Sequence, residues 1–274
     1  MKQENIQAPI FAVSRHRIGT DGQGVTTLVC FHGCLLLCEY CINPQCWRVD
    51  GIQREITPEE LLEEVKIDNL YFSATGGGIT FGGGEPALQS EFIEAFCKIA
   101  PAEWHFNIET SLYVFHQHLE RLLPYIDRYF IDIKDVNPKI YEQYTHRDNN
   151  LVLNNLRWLL SHDGMAERIV VRLPLIKDYN TPDDVRRSRE QLESMGVIHF
   201  DEFEYQCEHR LSDDIPKYPV LLGVPAVESS FIQSEKELMS WHVKYIFKDL
   251  WMIFKILFCL WLVYYAINII LSWF

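Results

Sequence analysis

At 274 residues, 48% of them hydrophobic, the chain is long enough to bury the core of one α/β domain. Its 38 acidic against 25 basic residues leave a formal net charge of -13, which repels phosphate backbones and excludes nucleic acid as a bulk partner. Five of the eight cysteines fall within residues 30–46 and no apolar signal segment precedes them. That pattern reads as a metal or redox site in a reducing compartment rather than as a disulfide framework.

Residues 25–31 (VTTLVCF) read as a strand. Thr57-Pro58-Glu59-Glu60 opens a helix, with Thr as N-cap, Pro in the first turn and Glu at the capping-box position. Residues 78–81 form a second strand. Pro86 starts a helix in which Leu88, Phe92, Phe96 and Ile99 fall on one face. Further strands are expected at 104–109, 128–134, 168–174 and 197–205. Helices are expected at 115–123, 138–145 and 149–161, and after a second capped opening at Thr181. Strands separated by helices imply parallel βαβ units. Periodicity leaves a partial barrel and a doubly wound sheet both open; in either, ligands sit at the carboxyl ends of the strands.

Residues 256–274 carry no charged side chain. A helix of that length spans about 28 Å, close to the hydrocarbon thickness of a bilayer. Trp251 and Trp273 lie near its two ends, and Lys244, Lys248 and Lys255 precede it. The positive-inside tendency then places the N-terminal part in the cytoplasm, anchored to the inner face of the membrane. The expected division is a domain at 1–245 and a hydrophobic helix at 246–274. The alternative is a terminal helix packed on the domain.

Cys34, Cys38 and Cys41 are spaced C-x3-C-x2-C. Three thiolates can ligate three irons of a cubane and leave the fourth open for a substrate. The same spacing also lies on one helix face, and a zinc site with Cys46 or His32 as fourth ligand is a further alternative. Gly33 and Asn43-Pro44 bracket the segment and favour a loop. Residues 75–90 (TGGGITFGGGEPALQS) hold two triple-glycine runs around a short strand. Glycine lets a ligand approach the backbone closely, and carbonyls there can accept hydrogen bonds from a ligand ammonium; a simple turn is the alternative. No Lys-Ser/Thr follows, so a phosphate-binding loop is disfavoured.

Taken together, these motifs resemble the radical S-adenosylmethionine superfamily, and within it the glycyl-radical-enzyme activases of the pyruvate formate-lyase-activating enzyme family. The resemblance covers roughly residues 15–205. Asp21-Gly22-Gln23-Gly24-Val25 is similar to the family's DGPGI segment, with Gln in place of Pro. Tyr40 matches the aromatic residue before the third cysteine. The stretch SATGGGITFGGGEP (73–86), Asp132-Ile133-Lys134 and Val171-Arg172-Leu173-Pro174 match further motifs in the same order.

The resemblance implies a partial (β/α)6 barrel of the radical S-adenosylmethionine type. It implies one 4Fe-4S cluster on Cys34, Cys38 and Cys41, with S-adenosylmethionine bound at its open iron. Gly83, Gly84 and Glu85 would bind the methionine amino group, and Glu109 and Thr110 would lie near the ligand carboxylate. Lys134, Arg172 and His209 are further candidates for ligand contact. The implied partners are a glycyl-radical enzyme as protein substrate and a flavodoxin- or ferredoxin-like electron donor. The short, cysteine-free stretch between Cys46 and Gly76 leaves no room for the extra clusters of some relatives. Two other readings stand beside this one: a radical enzyme acting on a small molecule or peptide, and a non-catalytic zinc or iron–sulfur protein on a membrane.

Overall fold

A computed structural model describes residues 6–205. They belong to the first of two units into which the chain divides, Met1–Leu222 and Gly223–Phe274. The boundary expected at 245/246, the hydrophobic tail and His209 lie outside the described residues.

Eight strands form one sheet: β1 (Ala8–Ile18), β2 (Val25–Phe31), β3 (Arg54–Ile56), β4 (Gly78–Gly83), β5 (His105–Thr110), β6 (Arg128–Asp132), β7 (Ile169–Leu175) and β8 (Phe200–Glu204). Their order is β3-β1-β2-β4-β5-β6-β7-β8. Every pairing from β2 to β8 is parallel, whereas β1 is antiparallel to β2 and to β3. Among the described residues β3 and β8 end the order without pairing to each other, so the sheet formed by these strands is open. Six parallel strands with intervening helices make the partial (β/α)6 barrel, and the doubly wound alternative falls because the parallel strands, β2 and β4 to β8, follow one another in chain order without a reversal. The helices are α1 (Pro58–Val65), α2 (Asn69–Thr75), α3 (Ser90–Ile99), α4 (His116–Leu122), α5 (Pro138–Thr145), α6 (Asn150–Leu160), α7 (Met165–Arg168) and α8 (Pro182–Ser194). Among the described residues no helix is long and apolar enough to cross a membrane.

Both capped openings form as expected. Thr57 Oγ1 accepts from the Glu60 amide at 3.2 Å while Glu60 Oε2 accepts from the Thr57 amide at 2.9 Å; Thr181 and Asp184 repeat the exchange at α8. The helix expected from Pro86 needs correction. It begins as a 3-10 turn over Pro86–Gln89 and becomes α-helical only at Ser90. Three residues per turn instead of 3.6 shifts Leu88 out of phase with the helix. Within α3 the buried stripe is Phe92, Ile93 and Phe96, and Ile99, the last residue of the helix, is 41% exposed. Two strand limits also move. β6 stops at Asp132, leaving Lys134 beyond its end, and β8 starts only at Phe200.

Neither β1 nor β3 was expected. Arg15, His16 and Arg17 break any apolar alternation in β1, yet each finds an acid. Arg15 Nε donates to buried Asp68 at 2.7 Å, His16 Nε2 meets the same carboxylate at 2.9 Å, and Arg17 pairs with buried Asp21. The Asp21–Gly24 turn then leads into β2. It is tied to β4 and β7, since Thr80 Oγ1 donates to the Asp21 carbonyl at 2.7 Å and Arg172 Nη2 to the Thr20 carbonyl at 3.1 Å.

Between the sheet and its helices lies an aromatic core. Phe81 sits 5.9 Å from Phe96 and 6.2 Å from Phe106, and Phe31 lies edge-on to Phe92 at 5.5 Å. Phe96 is fully buried. Phe96→Ala is expected to cost about 3–5 kcal/mol of stability, read from the urea midpoint, because the rigid rings around it cannot collapse into the void. A loss below about 1 kcal/mol would contradict this packing.

Candidate cofactor site

The chain from His32 to Asn43 runs without helix between β2 and a 3-10 turn at Pro44–Trp47, so the one-helix-face arrangement of the cysteines is ruled out. The loop is apolar, with Leu35, Leu36 and Leu37 buried, and its main chain must find partners. The end of α5 supplies them. The Thr145 carbonyl accepts from the Leu37 amide at 3.1 Å and the Tyr144 carbonyl from the Glu39 amide at 3.0 Å. Trp47 Nε1 donates to the Leu36 carbonyl at 3.0 Å, and His146 meets Glu39 at 2.7 Å.

The glycine run docks on the same loop from the other side. The Gly84 amide donates to the Phe31 carbonyl at 2.9 Å and the Glu85 amide to the Gly33 carbonyl at 2.7 Å. A Cβ on Gly84 would lie 2.2 Å from the Gly33 carbonyl oxygen. At Gly83, where φ is +101°, it would lie 2.8 Å from the Cys30 Cα. These glycines are thus required by the contact of chain on chain. That packing demand stands beside the expected role in ligand approach.

Cys34, Cys38 and Cys41 line one cavity of about 350 Å3 at the carboxyl ends of the parallel strands, within the size range of small-ligand pockets. Gly83, Gly84, Glu109, Thr110, Lys134 and Arg172 line it too. Nine of the twelve expected site residues therefore meet at one place. Two others are described but lie off its wall, and His209 is not described. Tyr40 donates to Asp178 at 3.2 Å and packs edge-on to Tyr179. Glu85 is buried and its carboxylate is saturated by Thr110 Oγ1 and Ser111 Oγ at 2.6 Å, the Ser111 amide at 2.8 Å and the Ala87 amide at 3.2 Å. Burial pushes the Glu85 carboxyl pKa up, and the Ser111 and Thr110 hydrogen bonds only partly restore it.

Sequence reasoning missed other lining residues. Asp201, Phe203 and Tyr205 reach the cavity from β8 and the residue after it. Their two-residue spacing puts them on one face of the strand, but only the pairing of β8 with β7 sets that face toward the cavity. Asn43, read only as a loop bracket, donates from Nδ2 to the Gly83 carbonyl at 2.7 Å.

Two cations face this space. Arg172 Nη1 donates to Glu109 Oε1 at 2.8 Å and its guanidinium lies 4.8 Å over the Phe130 ring. Lys134 Nζ pairs with Asp132 at 3.0 Å and lies 5.9 Å from the Tyr205 ring centre. Burial works against both charges, but Glu109 for Arg172 and Asp132 for Lys134 outweigh it and hold both pKa values above their usual range. A carboxylate ligand would find both cations charged.

Burial pushes the Cys34 thiol well up and the Cys38 thiol to about 12, so both are neutral until a metal displaces their protons. Among the described residues no group of three or more His, Cys, Asp or Glu is gathered closely enough to hold one metal ion; the three thiols are spread around a cavity. His32 Nε2 is engaged by the Arg48 carbonyl at 2.7 Å and does not line the cavity, while Cys46 does. Sulfur donors around a shared space, beside two fixed cations, suit a multi-iron sulfur group with a small zwitterion next to it.

Fold and site together define an α/β protein with a cysteine-lined cavity at the carboxyl end of a partial barrel. The Radical SAM superfamily model matches residues 28–191. The pyruvate formate-lyase-activating enzyme of Staphylococcus aureus (strain USA300) is 32% identical over 203 residues, covering 71% of this chain and 79% of the relative. A domain of the pyruvate-formate lyase-activating enzyme from Bacteroides vulgatus ATCC 8482 aligns at 26% identity with a TM-score of 0.39, covering 46% of this chain and 78% of that one. QueE from Escherichia coli aligns at 15% identity with a TM-score of 0.43, covering 76% of this chain and all of that one. The chain belongs to the radical S-adenosylmethionine superfamily, and within it to the pyruvate formate-lyase-activating enzyme family. Its chemistry is cleavage of S-adenosylmethionine to generate a radical, with S-adenosylmethionine and an iron–sulfur cluster as cofactors.

Proposed function

We propose that this enzyme activates a glycyl-radical enzyme, with Cys34, Cys38 and Cys41 holding one 4Fe-4S cluster whose fourth iron is open. The observation that carries the reading is the one cavity shared by Cys34, Cys38 and Cys41, the Gly83-Gly84 turn and the cations of Lys134 and Arg172. When bound, the cluster and S-adenosylmethionine supply a one-electron cleavage whose 5′-deoxyadenosyl radical can remove an α-hydrogen from a glycine of the partner. The protein's own contribution is to bind and orient. Lys134 and Arg172 offer charge to the methionine carboxylate. Glu85 fixes Thr110 and Ser111 at the end of β5 and so shapes the wall behind them. Hydrogen-atom removal needs no general acid or base, so the titratable groups here serve as charges and struts.

A flavodoxin- or ferredoxin-like protein is the proposed electron donor. On its sequence alone, the charge-free run at 256–274 carries the reading of a C-terminal anchor. Carbonate washing of membranes is expected to leave the full-length protein in the pellet; recovery in the wash without detergent would remove the anchor from the account.

The function is tested by incubating the anaerobically reconstituted protein, S-adenosylmethionine and a reductant with candidate glycyl-radical enzymes of its own organism, any encoded near it first. The expected result is a glycyl doublet in the electron paramagnetic resonance spectrum of the partner. Steady 5′-deoxyadenosine formation with no doublet in any neighbouring glycyl-radical enzyme would favour a small-molecule or peptide substrate instead.

A further inference from the structure

Among the described residues, four other than glycine hold a left-handed backbone: His16 (φ +59°), Leu112 (φ +59°), His146 (φ +56°) and Asp178 (φ +68°). Such residues are uncommon and gather where a fold tolerates strain at a working site. Two of the four reach the cysteine loop at neighbouring positions. His146 follows α5 as its C-cap, and its Nε2 meets Glu39 Oε1 at 2.7 Å. Asp178 lies in the turn after β7, where the Ile176 carbonyl accepts from the Tyr179 and Asn180 amides at 3.1 Å. Its Oδ2 accepts from the Tyr40 hydroxyl at 3.2 Å. Glu39 and Tyr40 are the two residues between Cys38 and Cys41. Glycine would adopt either backbone without strain, yet a side chain stands at each position and each is directed at the loop.

The loop is thus gripped from two sides. On the α5 side, the Tyr144 hydroxyl donates to the Tyr40 carbonyl at 3.4 Å and Arg147 Nε to the Leu35 carbonyl at 3.2 Å. On the other side, Tyr179 packs edge-on against Tyr40 at 5.9 Å and against Tyr144 at 5.1 Å, which joins the two grips. We propose that His146 and Asp178 are positioning residues that hold the Cys38–Cys41 segment in the geometry a three-thiolate cluster needs. Neither lines the cavity, so both act on the thiols through Glu39 and Tyr40. A loop ordered at folding has no further ordering cost when the cluster binds, and a thiolate that cannot swing away keeps its iron. The inference rests on the cluster reading given above.

A matched control is built into the fold. His16 has the same backbone and meets the Asp68 carboxylate at 2.9 Å, but in β1 it lies beside the start of β2, at the opposite end of that strand from the cysteine loop. The test uses the full chain, reconstituted with iron and sulfide, as wild type, His146→Gly, Asp178→Gly, Asp178→Asn and His16→Gly. Iron release to an excess of a ferrous chelator is timed, the reduced cluster is recorded by electron paramagnetic resonance, and the cluster-free proteins are melted. His146→Gly and Asp178→Gly should melt as wild type does, because glycine relieves the left-handed strain. Both should nevertheless release iron about tenfold faster, the usual loss when the outer support of a metal site is removed. Their reduced-cluster spectra should broaden, since the freed loop samples more than one arrangement. Asp178→Asn tolerates the same backbone and keeps an oxygen acceptor for Tyr40, so it should release iron at the wild-type rate, as should His16→Gly. Wild-type release from iron-replete His146→Gly and Asp178→Gly would overturn the inference while leaving the cluster in place. Equal acceleration in His16→Gly, or faster release that only tracks a lowered melting temperature, would overturn it too. A wild type that takes up no iron would instead remove the cluster reading, and the inference with it.

Discussion

Cys38→Ala, reconstituted anaerobically with iron and sulfide, is expected to hold no stable cluster and to release no 5′-deoxyadenosine from S-adenosylmethionine. Cys34→Ala and Cys41→Ala should behave alike. Cys34, Cys38 and Cys41 all line the cavity, and a cubane held by these three thiolates with one iron open for its ligand can spare none of them. The fold should survive. The loop is held to α5 through the main-chain amides of Leu37 and Glu39 and through the Leu36 carbonyl, none of which a cysteine side chain provides. Wild-type melting with no iron uptake is therefore the specific outcome. Cys30 and Cys97 do not line the cavity, and alanine there should be tolerated. Cys46 does line it, so Cys46→Ala is the informative companion: retained cleavage separates an open cluster from a closed four-thiol site. Full activity in Cys38→Ala would sink the cluster assignment.

Gly84→Val should be lost earlier, at folding. Its Cβ would stand 2.2 Å from the Gly33 carbonyl oxygen, and the backbone of the cysteine loop cannot yield without losing the bond from the Glu85 amide. Gly83→Val adds a positive φ of +101° to contacts of 2.8 Å with the main chain of β2. Overpacking costs about 1–3 kcal/mol and a strained backbone about as much again, so Gly83→Val should lose about 2–6 kcal/mol in urea unfolding. Gly82 offers a contrast, because its Cβ would meet side-chain atoms of Leu28 and Glu109 that can move. Unaltered stability of Gly84→Val would show that the glycine run is an adaptable turn and would return its role to ligand approach.

The strands β2 and β4 were legible because they are buried on both faces and read as largely apolar runs. The helices after Thr57 and Thr181 were legible because their caps are local and reciprocal. β1 was not, since its charges are neutralised by Asp68 and Asp21, and the Asp68 contact is made from more than fifty residues away. The cavity wall followed the same division. Cys34, Cys38, Cys41, Gly83 and Gly84 announce themselves by spacing, whereas Asp201 and Tyr205 become visible only once β8 is placed beside β7. Glu85 shows the limit most clearly. Its position in the motif suggests a ligand contact, but the hydroxyls that saturate it come from residues 110 and 111 on another strand end.

The most direct test of the central claim is 5′-deoxyadenosine formed per protein by the reconstituted, reduced enzyme, measured beside its iron content. About four irons and repeated formation of 5′-deoxyadenosine from S-adenosylmethionine are expected, with both lost together in Cys34→Ala, Cys38→Ala and Cys41→Ala. A protein that binds its iron fully and still releases no 5′-deoxyadenosine, or one that releases it without any of these three cysteines, would contradict the account.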